Sequence, residues 1–168
     1  IIVAGQTTVC QGQTVTLSAN LGDAYQWYRN DTLLAGDTLQ NLGATTSGDY
    51  KVAVTNTGGC SGTSDAIEVT INSNPAVSIS PSDSVSLCQS GSTTLTSSSA
   101  SVYQWYLNGN LISGATQQSY SATQLGAYTV QAIDQFGCSA SSNTVTVVND
   151  NIAPTAVAQN ATLYLDIN

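Results

Sequence analysis

Cys10, Trp27, Tyr50 and Cys60 recur as Cys88, Trp105, Tyr128 and Cys138, each shifted by 78 residues. The register also holds between these landmarks. Tyr25-Gln26-Trp27-Tyr28 returns as Tyr103-Gln104-Trp105-Tyr106, and Gly59-Cys60-Ser61 returns as Gly137-Cys138-Ser139. Asn30, Leu33, Gly36, Thr38 and Gln40 return as Asn108, Leu111, Gly114, Thr116 and Gln118. Chance does not keep such a register, so the 168 residues contain two copies of one small fold in series. The copies span 1–73 and 74–150, joined by the turn-rich Asn72-Ser73-Asn74-Pro75. Residues 151–168 read as the first strands of a third β module, and the whole as an internal piece of a longer chain.

Each copy is built of short alternating runs between turn residues, the pattern of a β-sandwich. Val15, Leu17 and Ala19 alternate with Thr and Ser, Tyr25 and Trp27 with Gln26 and Tyr28, and Tyr50, Val52 and Val54 with polar neighbours. Leu95, Trp105, Tyr128-Val130-Ala132 and Val145-Val147 repeat these positions. Asn56-Thr57-Gly58-Gly59 and Asp134-Gln135-Phe136-Gly137 carry the residues of hairpin turns. The expected fold class is all-β, with two sandwiches of about seven strands each.

Composition removes whole classes of function. Charged residues make up 7 % of the chain, against roughly 25 % in an average soluble domain. Arg29 and Lys51 are the only cations in a net charge of −8, too few for a phosphate-binding patch, so no nucleic acid is expected as partner. No stretch approaches the ~20 apolar residues of a membrane span, so no membrane insertion is expected either. Histidine is absent, which removes the commonest general base and metal ligand. The acidic residues are scattered singly. No catalytic residue, cofactor site or metal site is assigned, and the chain is read as not an enzyme.

The even cysteine count and repeated spacing point to a disulfide framework in an oxidising compartment. The expected bonds are Cys10–Cys60 and Cys88–Cys138, one within each unit. They carry a geometric difficulty: the start of the second core strand and the last hairpin turn lie at opposite ends of a regular sandwich. Either the chain before that strand takes an irregular path or the last hairpin folds back. Zinc is the rival reading of four cysteines, but there is neither a CxxC spacing nor a histidine.

The pattern resembles the immunoglobulin-like fold. Trp27 and Trp105 stand where that family buries a tryptophan on strand C, and Gly48-Asp49-Tyr50 and Gly126-Ala127-Tyr128 resemble its tyrosine corner. Antibody-type domains place a cysteine two residues after that tyrosine; here Val52 and Val130 stand there, opposite Leu17 and Leu95. The wording of the repeat is similar to the immunoglobulin-like and PKD-like repeats of large Bacteroidota surface proteins, among them gliding-motility adhesins and other cargo of type IX secretion. The tail from Ala153 to Asp166 is similar to hyalin-type repeats of the same proteins. The resemblance implies a non-catalytic structural or adhesive stalk at the bacterial cell surface. Its partners would be other repeats of the same chain and surface polysaccharide. The alternative is a carbohydrate-binding accessory module of a secreted hydrolase.

Three surface features accompany this reading. Asp31-Thr32-Leu33, Asp37-Thr38-Leu39 and Asp83-Ser84-Val85 resemble the Bacteroidota O-glycosylation acceptor, which makes Thr32, Thr38 and Ser84 candidate glycan sites. Asn149-Asp150-Asn151 resembles a cadherin calcium linker, with Asp134 as a possible helper, although hard cations usually draw on several carboxylates. Tyr28, Tyr106 and Tyr120 are candidate exposed rings for stacking on sugars, or else cross-strand packing.

Overall fold

The computed structural model describes residues 1–87 and 91–150, and these contain strands and turns but no helix. The expected third module falls outside the described residues, as does Cys88.

The first unit runs β1 (Ile2–Ala4), β2 (Thr8–Cys10), β3 (Val15–Ser18), β4 (Ala24–Arg29), β5 (Thr32–Leu33), β6 (Asn41–Ala44), β7 (Gly48–Thr55), β8 (Ser61–Thr63) and β9 (Ile67–Asn72). One sheet is β1-β3-β6; the other is β2-β9-β7-β4-β5, with β8 also on β7. The second unit repeats this with β10 (Ile79–Ser80), β11 (Ser84–Leu87), β12 (Thr93–Ser97), β13 (Val102–Leu107), β14 (Asn110–Leu111), β15 (Ser119–Ala122), β16 (Gly126–Ile133), β17 (Ser139–Ser141) and β18 (Val145–Asn149). Its sheets are β10-β12-β15 and β11-β18-β16-β13-β14, with β17 on β16. The expected seven strands become nine segments because two strands are each broken in half. The first strand starts on the small sheet as β1 and crosses to the large one as β2, where it pairs in parallel with β9. The last strand shifts register between β8 and β9. Ser64 fills the break: its backbone N–H donates to Val52 O, and its Oγ accepts from Val52 N. Ser142 does the same for Val130. This is a β-bulge in both units.

Two separate cores result. Leu17, Trp27, Val52 and Val69 anchor the first; Leu95, Trp105, Val130 and Val145 anchor the second. Trp27 faces Val52 across β4 and β7, and Trp105 faces Val130 across β13 and β16. The aliphatic residues expected in place of the antibody-type core disulfide are thus buried beside the tryptophan. The tyrosine corners are present: Tyr50 Oη–H donates to Thr46 O at 2.8 Å and Tyr128 Oη–H to Gln124 O at 3.0 Å.

The repeated polar residues hold backbone that has no ladder partner. Gln26 Nε2 donates to Leu34 O, and Gln104 to Ile112 O, both at 2.9 Å. Gln40 donates to Ala19 O and Gln118 to Ser97 O. Asn30 Oδ1 accepts from Asp49 N, and Asn108 Oδ1 from Ala127 N. The glutamine bonds pair part-buried main-chain groups that would otherwise lack a partner, while the asparagine bonds brace exposed backbone. The asparagine contact also explains a glycine. A Cβ at Gly126 (φ 142°) would sit 2.7 Å from Asn108 Oδ1, and one at Gly48 (φ 152°) 2.9 Å from Asn30 Oδ1.

Candidate functional site at the joint between the units

The parallel pairing of β2 with β9 sets Cys10 opposite Asn72, at the end of unit 1 where the chain leaves for unit 2. Gln11 N–H donates to Asn72 O at 2.7 Å, and Asn74 Nδ2 reaches Gln11 O at 3.4 Å. The last hairpin turn of unit 2 lies at the opposite end of its own unit. β16 runs antiparallel to β18, so Ile133 ends at the side where the chain enters. Within this turn Asp134 N–H donates to Cys138 O, and Asp134 Oδ1 accepts from the N–H groups of Phe136 and Cys138 at 2.8 and 2.9 Å. Asp134 to Phe136, Ser99 to Ser101 and Ser73 to Ala76 line one open groove at the joint.

Across this joint Cys10 is bonded to Cys138. Both expected pairings are therefore corrected: Cys10 is not joined to Cys60, nor Cys138 to Cys88. The physical reason is the difficulty noted in the sequence. Cys60 follows the Thr55 end of the eight-residue β7, whereas Cys10 lies beyond its Gly48 end. Eight residues of strand span about 26 Å, far more than the roughly 7 Å between Cα atoms that a disulfide tolerates. Cys138 is fully buried by the link, and Cys60 is exposed with a free thiol. Disulfides of this kind belong to exported proteins in oxidising surroundings. Spacing within one unit does not reveal the crossing. The signal available was the polarity of the sandwich, which puts the two cysteine types of successive units at the same joint.

The remaining candidate residues are placed individually. Thr32 lies on β5, Thr38 in the turn that follows it and Ser84 on β11; all three are exposed. Asp31, before Thr32, is paired with Lys51 at 2.7 Å, which raises the Lys51 pKa through the hydrogen bond and the charge. Asp134 is not brought to Asp150, so its expected role as a calcium helper is corrected. It follows β16 at the entry end of unit 2, while Asp150 follows β18 at the far end. Asn151 lies outside the described residues. Among the described residues no group of three or more His, Cys, Asp or Glu side chains is placed to hold a metal ion. Nor is any helix among them long and apolar enough to cross a membrane. Tyr120 is not an exposed ring: it stacks on Trp105 at 5.8 Å and meets Tyr128 at 5.9 Å. Tyr28 and Tyr106 are half-buried on the outer face of the large sheets, where Tyr106 Oη–H donates to Gln131 Oε1 at 3.4 Å.

Residues 1–75 match the family model described as Ig-like domain CHU_C associated. No curated protein matches the chain. Among solved structures it is similar to the fibronectin(III)-like modules of Clostridium thermocellum CbhA at 16 % identity, covering 94 % of this chain and 96 % of that one, with a TM-score of 0.41. It is similar to three N-terminal domains of the bacteriophage RB49 highly immunogenic outer capsid protein at 20 % identity, covering 88 % of this chain and 58 % of that one, with a TM-score of 0.46. SGBP-B of the Bacteroides ovatus mixed-linkage glucan utilization locus, solved in complex with a mixed-linkage heptasaccharide, matches at 14 % identity over 88 % of this chain and 43 % of that one, with a TM-score of 0.34. With two sheet pairs, two buried tryptophans and two tyrosine corners in place, the described chain is all-β and consists of two immunoglobulin-like sandwiches in tandem.

Proposed function

We propose that this chain is a non-catalytic stalk segment of a large secreted protein at the bacterial cell surface, of the adhesin kind exported by type IX secretion. The observation that carries the reading is the covalent bond across the joint. Tension applied at the two ends enters through residues 1–10, crosses from Cys10 to Cys138, and leaves through β17 and β18. The sequence separation of 128 residues between the two sulfurs contains most of both sandwiches. Those residues cannot lengthen while the bond holds, whatever happens to their cores. A module serving as a tether gains from this; a sugar-binding module does not need it. For the carbohydrate-binding alternative, all three candidate rings are half-buried, and Tyr120 is stacked on Trp105.

Thr32, Thr38 and Ser84 are proposed as O-glycan sites on this stalk, since an acceptor hydroxyl must be reachable and all three are exposed. Other repeats of the parent chain are its proposed partners, together with surface polysaccharide.

Single-molecule pulling from the two termini tests the tether. The reduced chain should gain on the order of 400 Å of contour length over the oxidised one, from the 128-residue separation at roughly 3.3–3.6 Å per extended residue. Equal extension of the two forms would defeat the reading.

A further inference from the structure

The two units are copies, but only one of their last-hairpin cysteines has a partner. Cys60 and Cys138 occupy equivalent turns that share these two hydrogen bonds. Asn56 N–H donates to Cys60 O at 3.0 Å, as Asp134 N–H does to Cys138 O at 2.9 Å. Cys60 N–H donates to Asn56 Oδ1, as Cys138 N–H does to Asp134 Oδ1. Gly59 and Gly137 precede them with φ of 77° and 82°. In unit 2 this cysteine is bonded to the strand cysteine of the unit before it and is buried; in unit 1 it is exposed. The end of unit 1 that carries Cys60 also carries Leu21, in the turn before β4, 90 % exposed. Its counterpart in unit 2 is Ser99, which lines the groove at the joint.

We infer that Cys60 is a coupling point for another unit of the same repeat: it forms a disulfide with the cysteine at the Cys10 position of a unit docked on the entry end of unit 1. Each joint of such a series would carry the bond seen at Cys10–Cys138, so the repeats form a covalent chain running beside the peptide chain. The bond forms by exchange. The Cys60 thiolate attacks a disulfide donor of the glutathione class and releases one thiol; the incoming strand cysteine then displaces the second. Two protein thiols are oxidised and one donor disulfide is reduced to two thiols. The inference rests on the reading of the units as a series, not on what the series carries.

The test supplies the missing neighbour. Residues 1–78 with their own Cys60→Ser, one full repeat period including the natural linker, are placed ahead of Ile1 of the whole chain, and the protein is refolded with reduced and oxidised glutathione. Non-reduced peptide mapping should then recover two links, the added unit's Cys10 with Cys60 and Cys10 with Cys138. In the 168-residue chain Cys60 should instead be fully alkylated. A Cys60→Ser version of the longer protein should keep its circular dichroism and lose the first link only. If Cys10–Cys138 forms while Cys60 stays free in the longer protein, the inference is wrong and the series reading survives. If neither link forms in a folded protein, both are wrong.

Discussion

The two units share a fold and differ in what fills equivalent places. Unit 2 packs Tyr120 between Trp105 and Tyr128, where unit 1 has Leu42. Unit 2 buries Ser97 where unit 1 buries Ala19, and the Ser97 hydroxyl has no hydrogen-bond partner. Unit 1 turns its β4–β5 hairpin on Asn30-Asp31, both at positive φ, and ties Asp31 to Lys51. Unit 2 uses Asn108-Gly109, a pair that meets the same geometry without a side chain at the second position. Both copies keep four side chains that close backbone hydrogen bonds, Gln26, Asn30, Gln40 and Tyr50 with their counterparts, but not every one: Ser47, which accepts from Ile71 N–H, stands where unit 2 has Leu125. The kept side chains bond main chain at the β4–β5 loop, beside β3 and β6, and at the tyrosine corner.

The comparison can be broken most forcefully at the tryptophans. Trp27→Ala and Trp105→Ala should each cost about 3–5 kcal/mol in their own unit. The loss should be larger for Trp105, by about 0.5–1.5 kcal/mol, because its stack with Tyr120 goes too. Urea unfolding followed by the fluorescence of the remaining tryptophan, combined with far-ultraviolet dichroism, separates the two units. Equal losses would deny the aromatic stack any weight.

A gain is expected from Ser97→Ala, which makes unit 2 resemble unit 1 at this position. Removing a buried hydroxyl without a partner should stabilise by about 1 kcal/mol. A shift of the denaturation midpoint to lower urea would show that the hydroxyl is satisfied in solution.

The smallest effect sits at high pH. Burial pushes the Tyr128 phenol up, against a lowering by its bond to Gln124 O. Its raised pKa means that the folded state resists ionisation. The resulting stability is fully present below the ordinary value of 10.0 and is lost as pH rises from there through the folded value. Tyr128→Phe should lie about 1 kcal/mol below the parent at pH 8, since the corner bond is gone. The two stabilities should converge above pH 10. Parallel stability curves for the two proteins from pH 8 to 11 would refute this sign.

Much of the fold was legible in the residues. A tryptophan and a tyrosine at repeated spacing, each within alternating apolar runs, can be satisfied only by burial between two sheets, and both are so placed. Local pattern was also enough for the last hairpin turns, because a turn is decided by the residues inside it. Tyr120 was less readable: it alternates along β15 whether its ring faces the core or solvent, and only packing against Trp105 distinguishes the two. Asp134 likewise carries a carboxylate that sequence alone could give to a metal, whereas the turn gives it to two backbone N–H groups.

The cysteines mark the boundary between the two kinds of information. Their even number pointed to disulfides and to an oxidising compartment, but their repeated spacing pointed to one bond within each unit rather than across the joint. Which sulfur meets which was decided by tertiary structure alone. The first strand leaves one sheet and joins the other in parallel with the last strand, carrying Cys10 to the exit end of unit 1, while the hairpin of unit 2 presents Cys138 at the entry end of the next. Parallel pairing joins residues about 60 positions apart, as Cys10 with Asn72, and no local periodicity encodes it.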